Sequence, residues 1–392
     1  MSHTLELRRV RAPITLTSES FEMPAVADPR NRNSAVATSQ RPRSDAWQGV
    51  FMMFITGGAG YIGAHIAVEM MEQGEEVLIL DNLCNSLRST VDRTARVTGR
   101  RPGFICGDVR NRALLDAIFR EYPIDAVVHC AGLKAVGESV REPLRYYDTN
   151  VGGSVVLCQA MAQAGVFTLV FSSSATVYGD CSVMPIDEAC ATGLPTNPYG
   201  MSKLMAENVM KSVVGSDDRW SIGLLRYFNP IGAHPSGLLG EMPSNTPNNL
   251  LPYLLQVASG DRDSLCVFGN DYDTRDGTGV RDYIHVMDLA RGHVDALRAL
   301  RSSNGVHVWN LGTGTEYSVL EVVAAFEVVS GIPVPLLIHP RREGDIAQCW
   351  ANPQKSLDEL GWQARYPLAT MLEDAWRWQC SARGAKSVRQ VS

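Results

Sequence analysis

From position 51 onward, short continuous apolar runs alternate with stretches whose apolar residues recur every three or four positions. Phe51–Thr56 is the first run and predicts a buried strand. A glycine turn follows at once. Ile62, Ile66 and Met70 then recur every four residues, which gives a helix one apolar face. Glu76–Asp81 predicts a second strand, Gly103–Cys106 a short third and Ala126–Cys130 a fourth. Asn150–Ala164 predicts a helix and Thr168–Ser172 a strand. Tyr199–Ser212 predicts a helix entered through Pro198, a favoured first-turn residue, and Ser221–Arg226 a sixth strand. Strands alternating with helices imply a parallel sheet with right-handed crossovers, a doubly wound α/β domain of Rossmann type.

After Asn229 the rhythm breaks. Residues 230–252 are rich in Gly, Pro and Asn and predict loops. Helical patterns return at Leu254–Ser259, Val286–Leu300 and Val319–Ser330. The expected organisation is a cofactor domain over 51–229 and a smaller mixed α/β lobe over 230–380, with Val306–Leu311 rejoining the sheet. The chain is expected to lack regular structure from Ser381. The first fifty residues are rich in Ser, Thr, Pro and Arg and hold no persistent period or signal-peptide core. They read as a disordered extension or as the product of a mis-assigned start, with Met52 and Met53 where the first strand begins.

Composition narrows the class without naming it. Apolar residues make up 45% and charged residues 20%, the balance of a soluble globular protein. The net charge of −6 argues against non-specific nucleic-acid binding. No apolar run approaches the ~20 residues of a membrane span. The nine cysteines are scattered, with no C-x-x-C, which points to free thiols in a reducing cytoplasm and to no metal site.

The candidate chemistry begins at Gly57-Gly58-Ala59-Gly60-Tyr61-Ile62-Gly63. Placed between a strand and a helix, this run predicts a dinucleotide site. Gly57 allows the tight turn, Gly60 lets backbone approach a pyrophosphate, and Gly63 lets the helix pack against the strand. The helix N-terminus then faces the phosphates. The spacing resembles that of extended short-chain dehydrogenases. Asp81 ends the second strand about 20 residues on, where a carboxylate accepts bonds from ribose hydroxyls and repels a 2′-phosphate, which favours NAD over NADP.

The second constellation is Tyr199 and Lys203 in Asn-Pro-Tyr-Gly-Met-Ser-Lys. Four residues apart on a helix, they share a face. A nearby ammonium lowers a tyrosine pKa from ~10, so Tyr199 is expected to act as general base near neutral pH. Ser174 follows a strand at the carboxyl edge of the sheet and can relay or orient the same proton. Together the two constellations imply hydride chemistry at a carbon bearing a hydroxyl.

At this point the residues closely resemble the UDP-galactose 4-epimerase family, over about Phe51 to Gln379. The strings are TGGAGYIG, LDNLCNS, AGLKAVGES, FSSSATVYG, PYGMSKLM, LRYFNPIGAHPSG, PNNLLPY, FGNDY, DGTGVRDYIHVMDLA and RREGD. The resemblance implies Tyr61 and Ile62 at the pyrophosphate, and Asp81, Asn82, Leu83, Cys84, Asn85 and Ser86 as a ribose-side loop. Asp108 and Val109 would form the adenine edge. Cys130, Ala131, Gly132, Leu133 and Lys134 would form the strand-end loop beside the cofactor, where the family often has an aromatic at the Cys130 position. Phe228 and Lys203 would lie near the nicotinamide. The UDP-sugar would be held by Ser174, Tyr199, Asn229, Asn249, Leu250, Cys266, Val267, Phe268, Arg281, Arg342, Asp345 and Cys349. Two arginines suit a diphosphate, and Phe268 suits a uracil. The implied reaction oxidises C4 of the sugar, turns the 4-keto sugar over about its link to the diphosphate, and re-reduces it from the opposite face. The family is usually homodimeric.

Sugar-nucleotide 4,6-dehydratases place Asp-Glu where this chain has Ala175-Thr176, and UDP-glucuronate decarboxylases carry Glu at the Thr176 position. Neither carboxylate is present. Another UDP-sugar 4-epimerase, or a non-catalytic NAD and UDP-sugar sensor, are the remaining alternatives; a sensor would have lost the Tyr/Lys pair. In the family, the position of Cys349 lines the sugar pocket. Tyrosine there narrows it, and a small residue leaves room for a 2-N-acetyl group. The expectation is that UDP-N-acetylglucosamine and UDP-N-acetylgalactosamine are accepted too, unless another side chain fills the gap.

Overall fold

The structure is a computed structural model that describes residues 51–389 apart from 194, 243–246, 248 and 343, with side chains described as far as 382. The expectations for the first fifty residues lie outside the described residues. The central sheet uses seven strands: β1 Met52–Thr56, β2 Glu76–Asp81, β3 Gly103–Cys106, β4 Ile124–His129, β5 Thr168–Ser172, β6 Ser221–Tyr227 and, much later in the chain, Gly305–Leu311. All pairings in it are parallel. Between β6 and that last strand come β7 Asn229–Ile231, β8 Leu265–Phe268 and β9 Val280–His285, so Gly305–Leu311 is β10. The spatial order is β3-β2-β1-β4-β5-β6-β10. The order reverses between β1 and β4, the place where open α/β sheets bind ligands.

Strands buried on both faces must be apolar at every position, and β1 shows it. Met52 and Phe54 join one core, with Leu115, Phe119, Leu157 and Met210. Met53 and Ile55 join the other, with Ile66, Met70, Leu289, Val294 and Trp362. Trp309 and Trp362 are buried in the second of these cores.

The lobe is built of small pieces. β9 pairs with β7, with β11 Glu316–Ser318 and with β13 Gln348–Cys349, while β8 pairs with β12 Leu336–His339. Helices Leu250–Ala258, Val319–Ser330 and Leu368–Arg389 close an apolar core around Leu254, Phe326 and Leu372.

Three expectations need correction. The stretch 230–252 is not all loop, since β7 ends at Ile231 and a helix begins at Leu250. The loop reading followed Pro252, which sits within the first helical turn, where proline is tolerated. The helix expected over Asn150–Ala164 starts as a turn of π-helix, Tyr147–Gly152, before its α-helical part Gly153–Ala164. The tail does not lose its structure at Ser381; the helix runs on to Arg389, with no proline after Pro367 to stop it.

Candidate active site

Sequence forces the first turn of the site. Gly57 has φ +72°, and a Cβ there would stand 2.6 Å from the Ala131 nitrogen. A Cβ on Gly63 would stand 2.4 Å from the Gly57 oxygen. Both positions therefore demand glycine. Helix Tyr61–Glu72 starts at Gly60 with no side-chain cap, so its first N–H groups are left for a ligand.

That turn and the loop after β4 line one side of a cavity of about 590 Å³. The cavity gathers Gly57, Gly60, Tyr61, Ile62, Gly63, Asp81, Asn82, Cys84, Asn85, Ser86, Asp108, Val109, Cys130, Ala131, Gly132, Leu133, Lys134, Tyr199, Lys203 and Asn249. An uncapped helix start and a cradle closed to any Cβ fit a dinucleotide pyrophosphate.

Asp81 is buried and accepts three bonds: from the Ala59 N–H at 3.0 Å, the Leu83 N–H at 2.9 Å and the Ser86 hydroxyl at 2.7 Å. It therefore ties the glycine turn to the ribose-side loop, and an ionised carboxylate keeps one acceptor position beyond these. Leu83 takes φ +60° in this loop and does not itself line the cavity. The hydrogen bond from Arg110 holds the Asp108 carboxyl well below the usual carboxylate range. The Asn82 amide also donates to it, at 3.0 Å.

The loop after β4 is held from behind. The Leu133 N–H donates to Asn150 Oδ1 at 2.8 Å, and Asn150 Nδ2 donates to the Leu133 carbonyl at 3.0 Å and to Ser202 Oγ at 2.9 Å. The Ser202 hydroxyl donates in turn to the Tyr199 carbonyl at 2.7 Å. Asn150 lies in the π-turn, a feature frequent at functional sites. Lys134 pairs with Glu241 at 2.6 Å, and the Trp378 indole donates to the Glu241 carbonyl at 3.0 Å.

Asn197 caps helix Pro198–Ser216 by accepting from the Gly200 N–H at 2.9 Å, which fixes the turn carrying Tyr199. Tyr199 is 8% exposed. Burial raises its hydroxyl pKa, while the hydrogen bond with Ser174 and the charge of Lys134 pull against that without overcoming it. The expected lowering by Lys203 is thus corrected for the chain alone. Lys203 directs its ammonium to the Ser172 carbonyl at 2.7 Å, and burial brings its own pKa down to about 8.

Ser174 Oγ accepts from the Thr176 N–H at 3.3 Å and the Thr176 hydroxyl at 3.0 Å. With both lone pairs engaged, its one proton is left to donate toward Tyr199. One turn after Lys203, Glu207 makes a buried two-pronged pair with Arg226, at 3.0 and 2.7 Å, and accepts from Ser173 Oγ at 2.6 Å. The strand end holding Ser172–Ser174 is anchored that way.

Sequence reasoning missed Tyr227, Asn150 and Glu241. Tyr227 lines the cavity, and burial, with Tyr199 and Cys130 beside it, raises its pKa well above the usual tyrosine value. Its position at the carboxyl end of β6 was the available signal. Nothing local marks Asn150 or Glu241.

Outside the cavity lining stand Ser174, Phe228, Asn229, Leu250, Cys266, Val267, Phe268, Arg281, Arg342, Asp345 and Cys349. Several of these still converge. Arg342 sits over the Phe268 ring at 3.7 Å, and His339 stacks against Phe268 at 5.4 Å. The Asp345 N–H donates to the Arg342 carbonyl at 3.2 Å. Cys349 pairs with Arg281 across β13 and β9, and the Asn229 amide donates to the Asp282 carbonyl at 3.1 Å. Val267 is buried, because alternate residues of β8 point into the lobe core, so only its backbone can face a ligand. Leu250 packs on the same core, and Cys266 lies 3.6 Å from the Tyr253 hydroxyl.

A model of the NAD dependent epimerase/dehydratase family matches residues 53–312. A UDP-glucose 4-epimerase of Neisseria meningitidis is 54% identical over 326 residues, 83% of this chain and 96% of that protein. The crystal structure of a UDP-glucose 4-epimerase from Stenotrophomonas maltophila with bound NAD and formylated UDP-arabinopyranose superposes with a TM-score of 0.83 at 50% identity, over 85% of this chain and 99% of that one. A UDP-glucose 4-epimerase from Bifidobacterium longum in complex with NAD+ and UDP gives 0.83 at 48% identity, again over 85% and 99%. With its glycine turn, its buried tyrosine and these relatives, the chain belongs to the NAD dependent epimerase/dehydratase family.

Proposed function

We propose that the chain interconverts UDP-glucose and UDP-galactose by oxidation and re-reduction at C4. The carrying observation is Tyr199, buried at the wall of the cavity that the glycine turn opens, with Ser174 oriented to donate to it. Bound NAD would supply a two-electron acceptor and donor for hydride at the sugar carbon. Gly57, Gly60, the first turn of helix Tyr61–Glu72 and the Asp81 loop would hold it.

Tyr199 removes the proton from the C4 hydroxyl and later returns it. Burial opposes the phenolate, while Lys134 and the hydrogen bond with Ser174 favour it; bound NAD would add a positive charge on the same side of the balance. Ala175 and Thr176 offer no carboxylate, and the Thr176 hydroxyl is engaged with Ser174, so nothing there drives elimination of water. Arg281, Arg342 and Phe268 would hold the uridine diphosphate.

Cys349 is half-buried beside Phe228 and Tyr178, and burial pushes its thiol up to about 11, so it acts as a small wall and not as a nucleophile. We infer that the sugar pocket also admits a 2-N-acetyl group. Val136, Val140, Leu144 and Met205 are exposed apolar residues on neighbouring helices of the cofactor domain, which supports a homodimer through that face. The described thiols are all free, which supports a cytoplasmic setting; no described helix is long and apolar enough to cross a membrane.

The test is proton NMR of the purified chain, without added NAD, given UDP-galactose and UDP-N-acetylgalactosamine. Conversion of both is expected. Conversion of UDP-galactose alone closes the pocket at Cys349, and conversion of neither, unrescued by NAD, overturns the reading.

A further inference from the structure

The segment between Tyr178 and Pro198 joins the Ser174 turn to the Tyr199 helix. It carries two cysteines that the catalytic reading does not use. Cys181 Sγ and Cys190 Sγ stand 2.7 Å apart, both partly buried. Both thiols are free, and the two sulfurs are in direct contact.

The approach is built by the segment's own contacts. Asp187 Oδ1 accepts from the Ala189 and Cys190 N–H groups, each at 3.0 Å, which fixes the turn leading into Cys190. Ile186, midway between the thiols, is pinned on both sides: its N–H donates to the Trp350 carbonyl at 2.9 Å and its carbonyl accepts from the Asn352 N–H at 2.7 Å. Asn310 Nδ2 donates to the same carbonyl at 2.9 Å. The two cysteines therefore close a short ring whose middle is fastened to the rest of the protein. Among the described residues no basic side chain is bonded to either sulfur, and each thiol's nearest polar partner is the other. The hydrogen bond with Cys181, with burial, pushes the Cys190 thiol up to about 11, and either sulfur can be the donor in the contact.

We propose that Cys181 and Cys190 form a reversible dithiol/disulfide modification site that reacts with low-molecular-weight disulfides. The Cys181 thiolate attacks one sulfur of the oxidant. The oxidant's S–S bond breaks, one thiol leaves, and a mixed disulfide remains on Cys181. Cys190 gives up its proton and attacks the Cys181 sulfur, which forms the Cys181–Cys190 bond and expels the second thiol. Two protein thiols lose two electrons and two protons; one small disulfide gains them and becomes two thiols. A disulfide that comes and goes is the kind that suits a reducing compartment. The ring packs with Tyr178, Ile186, Phe228 and Cys349, so the crosslink would stiffen one wall of the proposed sugar pocket.

The test uses the full, reduced chain in buffers of rising glutathione disulfide to glutathione ratio. Samples are quenched in acid, alkylated and mapped by mass spectrometry. The expected result is a Cys181–Cys190 linked peptide that grows with the ratio and disappears on reduction. Cys190→Ser should instead hold a lasting glutathione adduct on Cys181. Alkylation of both cysteines at every ratio, a stable adduct without a crosslink in the unaltered chain, or a link from either cysteine to Cys349 would each overturn the proposal. The unaltered chain alone decides it if the variant does not fold, and the readout does not depend on catalytic activity.

Discussion

The half that carries the glycine turn and the C-terminal lobe, the proposed cofactor half and sugar lobe, present their ligand-facing groups by different means. In the cofactor half, backbone does most of the positioning. The ends of β1, β2 and β4 and the glycine turn meet at the switch point of one parallel sheet, and Asp81 and Asn150 fasten the loops from behind. In the lobe, side chains from separate short pieces are brought together by distant hydrogen bonds. Asp282 is the clearest case: it accepts from the N–H groups of Thr313 at 2.9 Å, Gly314 at 3.0 Å and Ala351 at 3.2 Å. The first arrangement cannot move without breaking a sheet. The second can change its lining one residue at a time, which suits the proposed task of holding a nucleotide firmly and a turning sugar loosely.

Tyr199 lies where the halves meet, and its loss should have the largest effect. Tyr199→Phe is expected to lower kcat about 10²–10⁴-fold while the purified chain still carries NAD. Activity near that of the unaltered chain, measured by the NMR assay, would remove Tyr199 from the mechanism.

The Glu207–Arg226 pair tests how much the cofactor half depends on its buried supports. Arg226→Met leaves a carboxylate that is 0% exposed with only Ser173 and the more distant Lys211 ammonium, at 3.4 Å, as partners, and should destabilise the fold by about 3 kcal/mol in urea melts. Replacing both residues by apolar ones should recover much of that. Burial alone would raise the Glu207 pKa, but the bonds from Arg226 and Ser173 lower it overall below the ordinary glutamate value. A depressed carboxylate stabilises the fold above its unfolded pKa, so this contribution is present at neutral pH and is lost as pH falls from about 4.5 through the folded value. Arg226→Met should flatten that part of the acid profile.

Two glycines with the same backbone hand separate the halves further. Gly57 and Gly260 have φ +72° and +77°, but a Cβ at Gly57 meets the Ala131 backbone and one at Gly260 meets nothing within 4 Å. Gly57→Ala should release NAD and lower stability by more than the ~1–2 kcal/mol that Gly260→Ala costs through strain alone. Equal losses, read from bound-NAD absorbance and melts, would mean that the crowding at Ala131 does not matter.

The same contrast explains what could be read from the chain. β2 and β5 match their apolar runs residue for residue, because a strand buried on both faces must be written as such a run, and the partly exposed edge strand β3 matches its short run as well. The glycine turn and the Tyr199 helix are local as well. The lobe strands are weaker marks: β8 and β12 are apolar runs of only four residues, β12 largely exposed, and β9 places Arg281 and Asp282 within its six residues. Asn150 and Glu241 act through partners far along the chain, so no spacing announces them, and Tyr227 is marked only by its place at the end of β6. The sign of the Tyr199 shift also escaped the sequence, because helical spacing fixes which face Lys203 occupies but not that its ammonium bonds Ser172.

The smallest change to the parent reaction is expected at Cys349. It sits on β13 beside Arg281, with Phe228 and Tyr178 in the same apolar cluster. Cys349→Tyr adds an aromatic ring to a wall that now carries a thiol, and a ring there takes space before it disturbs a bond. UDP-galactose, with a hydroxyl at C2, should still turn over at close to the original rate. UDP-N-acetylgalactosamine should be excluded, since overfilling a packed site costs about 1–3 kcal/mol and falls on the substrate with the larger C2 group. Loss of both activities would make Cys349 a structural support of the lobe. Loss of neither would mean that another side chain sets the sugar range, and that the lobe's lining cannot be retuned at this one position.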